Sequence, residues 1–311
     1  MRPPRSPILV TGTHYSGTTW VGQVLRHSPR LGYVHEPFNP RSSRPGVCGV
    51  RFRNWYTYIT EANAAEYVEP LRRTLDFRYG LFRELRSVQS AKDAARMIRD
   101  ASNFARWRMG RYRPLVKDPI ALLSAEWLHA SFDMAVVIMI RHPGAFAWSI
   151  KRRGDRHPFG DFLRQPLLMS GPFAIHVEQI AVFAAAERDP IDQAGLLWRV
   201  LMAHVLICRE RHPDWLLVRY EDVADHPERA FAHLCTELGL SLTPSVRRVI
   251  ARTTSADNPT ASSPERLGSH FCRNTSALLH QWKRALSDDE IARLRTWVTP
   301  LDSAFYGPSD W

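Results

Sequence analysis

The sequence predicts an α/β fold, a single domain whose central parallel sheet is covered by helices. Two observations point there. Short apolar runs alternate with longer stretches of helical spacing, the order that builds strand–helix–strand crossovers. The first run ends in a glycine loop and the strongest ends in Arg-His-Pro, each followed at once by a helical pattern. With 311 residues, 44% of them apolar, the chain can bury a sizeable core, and no internal repeat divides it, so residues 1–311 read as one domain.

Residues 7–11 (PILVT) form a short strand that leads into Gly12-Thr13-His14-Tyr15-Ser16-Gly17. From Thr18 onward, the spacing of Trp20, Val21, Val24 and Leu25 puts apolar side chains on one helical face. Residues 31–34 make a second strand, ended by Glu36-Pro37-Phe38-Asn39-Pro40, whose prolines stop a helix from following. Residues 41–60 are loop-like and aromatic, 61–108 mainly helical, and the whole stretch 41–112 reads as an insertion. Residues 113–116 give a third strand, closed by Lys117-Asp118-Pro119, with a helix through 122–130.

Residues 135–140 are the most apolar run and the expected central strand. Arg141-His142-Pro143 ends it, and a helix restarts at 145–153. Residues 159–171 are expected to be an irregular segment or lid, and 174–211 helical with a break at Pro190. Residues 216–219 form the last strand, and Asp225-His226-Pro227-Glu228 opens a helix reaching Leu238. Residues 252–276, polar and rich in Thr, Ser and Asn, read as a mobile loop. A helical segment at 281–297, with Asp288, Asp289 and Glu290 near its middle, closes the chain.

The formal net charge of +11 rests almost wholly on arginine, since the chain has only four lysines. Such a surplus favours anionic partners, but the basic residues are dispersed, and no basic block with interleaved aromatics marks a nucleic-acid surface. Cys48, Cys208, Cys235 and Cys272 are scattered and form no CxxC pair, as expected of reduced thiols rather than a disulfide frame or metal site. No run of about 18 apolar residues argues for a membrane span, and residues 1–7 lack the apolar segment of a secretory signal. The expectation is a cytoplasmic protein; peripheral contact with a membrane surface and the oligomeric state stay open.

A strand, a glycine loop and a helix N-terminus make an anion site, because free backbone N–H groups and the helix dipole face the loop. Gly12 and Gly17 permit the tight path, and Thr18 and Thr19 add hydroxyl donors. The G-x-x-x-x-G spacing is that of a nucleotide phosphate loop, but Thr18 stands where a triphosphate site needs lysine.

Ser16-Gly17-Thr18-Thr19-Trp20 resembles the 5′-phosphosulfate loop of the sulfotransferases that use 3′-phosphoadenosine-5′-phosphosulfate (PAPS), which share a P-loop-like α/β fold. The resemblance implies that Ser16, Gly17, Thr18 and Thr19 cradle the 5′-phosphate and that Trp20 lies against adenine. It departs at Tyr15, where the family has a basic residue. Arg141 with Ser149 resembles the family's 3′-phosphate grip, and residues 217–227, with Tyr220, its adenine contact. Arg273 resembles the arginine that completes the 3′-phosphate site.

Sulfuryl transfer needs cations at the donor end and a base at the acceptor end, and by this logic no metal. Glu36, 21 residues after Tyr15, resembles the catalytic glutamate of the carbohydrate and lipid branch; the histidine of the cytosolic branch has no counterpart after Lys117. Lys117 is the expected substitute for the missing loop cation, with His14 a further donor. The implied reaction moves sulfuryl from PAPS to a hydroxyl of a carbohydrate, glycolipid or small natural product and leaves adenosine 3′,5′-bisphosphate (PAP). Residues 41–112 and 155–175 would line the acceptor cleft, with Trp55, Tyr56, Tyr58, Trp107 and Tyr112 available to stack on sugar. Two alternatives stand beside this reading: a P-loop-type small-molecule kinase, disfavoured by the absent lysine, and a non-catalytic nucleotide or anionic-glycan binder, motivated by Tyr15.

Overall fold

A computed structural model describes residues 6–41, 44–255, 257–258 and 279–311. Five parallel strands form one sheet: β1 (Ile8–Gly12), β2 (Leu31–His35), β3 (Arg113–Lys117), β4 (Ala135–Ile140) and β5 (Leu216–Arg219), in the order β2-β3-β1-β4-β5. The α/β class expected from the alternating pattern is the architecture found.

Side chains alternate across the sheet. Leu9, Val116, Val136 and Ile138 enter one core with the long helix Pro190–Arg211. Ile8, Val10, Val137 and Met139 enter a second core with the helix Thr18–Leu25 and the helix Pro227–Glu237. β1 lies between β3 and β4, so its C-terminal end sits where the chain connections diverge to the two sides of the sheet. Crevices for ligands open at such points in parallel sheets.

Several local expectations change. The closing segment is two helices, Gln281–Ala285 and Asp288–Val298. Ser287 starts the second through a capping box with Glu290, so the three acids occupy its first turn and complement its dipole instead of sitting mid-helix. Residues 159–171 contain the short helices Gly160–Leu163 and Pro166–Met169, pinned by buried Phe159, Phe162 and Leu168, which is a packed element rather than an irregular lid. The helix after β3 begins as a 3-10 turn, Pro119–Ser124, capped by Asp118. Beyond residue 258, the expected loop 252–276 and Arg273 lie outside the described residues.

Between β2 and β3 the chain passes through turns and then the helices Ala65–Leu75, Leu81–Leu85 and Ala91–Met109. Among the described residues one helix, Pro190–Arg211, is long and apolar enough to cross a membrane by length and composition, although no continuous apolar run betrays it. Of its qualifying window 72% is buried inside the fold, which is how a central core helix also reads.

Candidate active site

A cleft of about 650 Å³ opens at the C-terminal ends of β1, β2 and β4. One wall is made by the loop after β1 and by residues 141–158; the other by the turn after β2 and by Trp55.

The loop is held open by close packing. Gly12 has φ +148°, and a Cβ there would stand 2.1 Å from the Met139 carbonyl oxygen, so only glycine lets β1 and β4 approach this closely. Gly17, at φ +87°, lies against the Tyr220 ring, which a Cβ would meet at 2.6 Å. Ser16 is buried, and its hydroxyl donates to the Thr13 carbonyl at 2.6 Å. Ser16 therefore shapes the loop, whereas Thr18 and Thr19 line the cleft at the start of an eight-residue helix with no side-chain cap. The Thr13 hydroxyl is buried and has no partner among the described residues.

Trp20 lines the cleft together with Tyr220 and is anchored in the core. Its indole N–H donates to the Thr253 hydroxyl at 3.0 Å, and its ring packs edge-on against Tyr220 and Phe231. It is mainly a core side chain that presents an edge to the cleft.

Arg141 ends β4, as expected. One terminal nitrogen, Nη1, donates to the Tyr15 carbonyl at 2.8 Å and to the Ser149 hydroxyl at 3.3 Å, and the guanidinium lies 4.6 Å over the Tyr220 ring. Its Nε–H is buried and has no partner among the described residues. Arg141, Ser149, Tyr220 and the loop backbone thus meet in one place, although more than 200 residues of sequence separate their ends. A charged, partly unsatisfied fork beside an open helix N-terminus fits a phosphate.

Tyr15 carries its own signature. Its φ is +67°, and the Arg153 guanidinium lies 4.9 Å over its ring. Arg152 stacks similarly on Trp148 at 4.7 Å. Burial first, then the charges of Arg153 and Arg141, lower the Arg152 pKa, so these three cations converge on the side of the cleft that carries the glycine loop. The sequence offers no sign of this beyond a basic helix end that resembles any solvated face.

On the opposite wall, Glu36 follows β2 at φ +46°. Positive φ at a non-glycine residue costs on the order of 1 kcal/mol or more; Tyr15, Glu36 and Tyr56 all share it around this cleft. The strain at Glu36 is borne by its anchors. Its amide donates to the Lys117 carbonyl at 2.8 Å, and two residues later the Phe38 amide donates to the Asp118 carboxyl at 2.7 Å. Asp118 is fully buried; desolvation, with Glu36 nearby, pushes its pKa up to about 8.

The Glu36 carboxylate is engaged at both oxygens. Lys117 Nζ donates to Oε1, and Asn39 Nδ2 donates to Oε2 at 2.8 Å. Burial would raise its pKa, but the Lys117 ammonium, with lesser contributions from His35 and Asn39, holds it below the ordinary glutamate value. The Lys117 side chain is 0% exposed and runs beneath Gly22, where a Cβ would meet its Cγ at 2.9 Å. Lys117 is therefore not among the residues lining the cleft. Its charge is committed to Glu36, which corrects the expectation of a lysine facing a sulfuryl group.

His14 lines the cleft between the two walls. Its Nδ1 is 2.9 Å from the Tyr56 hydroxyl, and its ring lies edge-on to Tyr15 and Phe146. Burial, and secondarily Arg41, lowers its pKa to about 3, so at neutral pH it is an uncharged hydrogen-bonding group. Of the five aromatics expected on the acceptor side, Trp55 lines the cleft and Tyr56 reaches it through His14. Trp107 is instead packed on Phe77 and Phe104 in the core. Arg41 and His157, within the two stretches expected there, line the cleft, as does Asn39.

Glu126, His204 and Cys208 form a cluster of possible metal ligands among the described residues, away from the cleft lining. Glu126 there already contacts Arg211 and His212.

No curated protein matches the sequence significantly. Among solved structures, the chain is similar to the sulfotransferase domain from the curacin biosynthetic pathway, at 15% identity, 94% coverage of this chain, 97% of that one, and TM-score 0.47. It is similar to the sulfotransferase domain of the Synechococcus PCC 7002 olefin synthase, at 16% identity, 99% coverage of both chains and TM-score 0.47. A sulfotransferase from Mycobacterium avium aligns at 12% identity, covering 97% of this chain and 77% of that one, with TM-score 0.45. The sequence itself matches the profile of the sulfotransferase family over residues 7–244. That span holds the loop, the Glu36 turn and the Arg141 grip, and the chain belongs to the sulfotransferase family.

Proposed function

We propose that the protein transfers a sulfuryl group from PAPS to a hydroxyl of a carbohydrate, glycolipid or natural product, with Glu36 as general base. The observation that carries this reading is the opposition of Glu36 to the loop and Arg141 across a single cleft. PAPS supplies the activated sulfuryl group. The backbone of Gly17–Thr19 and the Thr18 and Thr19 hydroxyls hold its 5′ end, and Arg141 and Ser149 hold the 3′-phosphate. The Arg141 Nε–H, unpaired among the described residues, supports that assignment, since a buried donor beside the cleft calls for an acceptor. Tyr220 supplies a ring face beside them.

Glu36 keeps lone-pair capacity after its bonds to Lys117 and Asn39, so it can take the proton of an acceptor hydroxyl. Lys117 acts through Glu36, keeping it ionised. With Lys117 so engaged, Arg153 above Tyr15 is a second cation beside the loop, after Arg141, and serves the charge that builds on the leaving phosphate. His14, neutral and braced by Tyr56, is a hydrogen-bonding group between donor and acceptor. The buried thiols of Cys48, Cys208 and Cys235 suit a reducing, cytoplasmic setting.

The test is incubation of protein and PAPS with fractionated extracts of the host, read by mass spectrometry. The expected result is a product heavier by one sulfate, formed with PAP and absent with Glu36→Gln. Product formed equally by Glu36→Gln removes Glu36 as base, and PAP release without any sulfated product, against every fraction, overturns the transferase reading.

A further inference from the structure

The cleft carries more positive charge than a donor nucleotide explains by position. It is lined by Arg41, Arg141, Arg152, Arg153 and Arg156 against two carboxylates, Glu36 and Asp155. Four of the arginines belong to the stretch 141–156 on the donor wall. Arg41 does not: it stands on the opposite wall, in the turn that carries the base.

The attachment is direct. Asn39 donates its side-chain amide to Glu36 Oε2 at 2.8 Å, and its side-chain oxygen accepts the Arg41 backbone N–H at 3.0 Å. One asparagine therefore ties the position of Arg41 to the position of Glu36. The Arg41 guanidinium lies 4.9 Å over the Trp55 ring, and Trp55 is itself anchored through its amide to the Asp161 carboxylate at 2.6 Å. Among the described residues Arg41 makes no ion pair. A guanidinium laid on an indole keeps its donor edge free while its orientation is restricted, which is the arrangement that takes a planar or tetrahedral oxyanion in bidentate fashion.

We infer that Arg41, on its Trp55 platform, binds an oxyanion of the acceptor itself, so that the substrate class is an already anionic hydroxyl compound bearing a carboxylate, phosphate or sulfate ester. The inference rests on the functional reading above and extends it to the acceptor. Glu36 accepts the proton from one part of the molecule while Arg41 grips a charged substituent a short distance away. A neutral acceptor leaves that guanidinium without a partner in a cleft already rich in positive charge. The surplus of arginine in the composition, unassigned by sequence, acquires one local use.

Three probes with one scaffold test it: 4-nitrophenyl β-D-glucoside, the matching glucuronide, and the glucoside 6-phosphate. Each is titrated calorimetrically into the full chain saturated with PAP, in the wild type and in Arg41→Gln. The expected result is at least tenfold tighter binding of one or both anionic probes than of the neutral one, reduced to within about twofold in Arg41→Gln. Which anionic probe is preferred identifies carboxylate or phosphate. PAP affinity in Arg41→Gln should stay within about twofold of wild type, which also shows that the variant is folded. Equal binding of all three probes, binding of none, or a preference that survives Arg41→Gln overturns the inference. Failure of PAP to bind the wild type overturns the donor reading instead, so the two failures are distinguishable. Trp55→Leu provides a second variant, expected to weaken the anionic probes at least fivefold more than the neutral one.

Discussion

The two walls of the cleft are built by different means. The wall proposed for the donor is made from the ends of β1 and β4 and the starts of the helices that follow, so the groups proposed to hold phosphate are backbone amides and a few side chains fixed by regular structure. The wall proposed for the acceptor is an irregular turn after β2, held by contacts that reach far along the chain. Tyr56 meets His14 across 42 residues, and Trp55 meets Asp161 across 106. The contrast matches what each wall must do. A nucleotide donor is invariant, and a sheet edge presents it with fixed geometry; an acceptor differs from one enzyme to another, and loops vary at low cost to the fold.

If the walls are separable, damage to one should leave the other working. The largest effect is expected from Glu36→Gln, which removes the proton acceptor but keeps the shape and the Asn39 contact. Turnover should fall by about 10³-fold, within the range typical of general-base loss, while PAP binds within about twofold of wild type. Weakened PAP binding in this variant would merge the two walls into one unit.

The mirror experiment is Arg141→Ala. Loss of a buried, charge-assisted grip should weaken PAP by roughly 100-fold, about 3 kcal/mol. Arg141→Lys should recover little of it, because a point charge cannot contact Tyr15, Ser149 and a phosphate together. Full recovery by lysine would reduce Arg141 to a general positive charge.

Lys117→Met sharpens the acceptor side by pH. Glu36 is held below its ordinary value of 4.5 by the Lys117 charge against the opposing effect of burial. A base with a depressed pKa stays ionised, and active, down to acid pH; the acid limb of kcat/KM should therefore lie below 4.5 in the wild type. Without Lys117 only the smaller effects of His35 and Asn39 oppose burial, so the limb should move up by at least one pH unit, about tenfold in rate on the limb. An unmoved limb would break the link between the two residues.

The smallest effect belongs to Trp20→Phe. Its hydrogen bond to Thr253 is structural, so the variant should lose about 1 kcal/mol of stability. PAP affinity should change less than threefold; a larger change would return Trp20 to the adenine site.

The same contrast explains what the sequence disclosed. β4 is legible because six consecutive apolar residues are buried on both faces. The donor motif is legible because backbone conformation forces its glycines into fixed places: Gly12 under Met139, Gly17 under Tyr220. Glu36 is legible as the residue ending β2, but not the lysine's true destination, since Lys117 reaches it across the β2–β3 pairing from 81 residues away. Arg41 and Asn39 had a faint local signal: an asparagine three residues after a strand-end glutamate, between two prolines, favours a side-chain-closed turn. Nothing local told a guanidinium on Trp55 from one in solvent, or Trp107 in the core from Trp55 in the cleft. Those distinctions are made by tertiary contacts.

The central claim is that the loop, Arg141 and Ser149 form one bisphosphate site that needs no divalent ion, and direct calorimetric titration of PAP tests it. The account expects one PAP per chain, bound equally with magnesium and with EDTA, and weakened about 100-fold by Arg141→Ala. Absent PAP binding, or a magnesium-dependent preference for ATP over PAP, would contradict it.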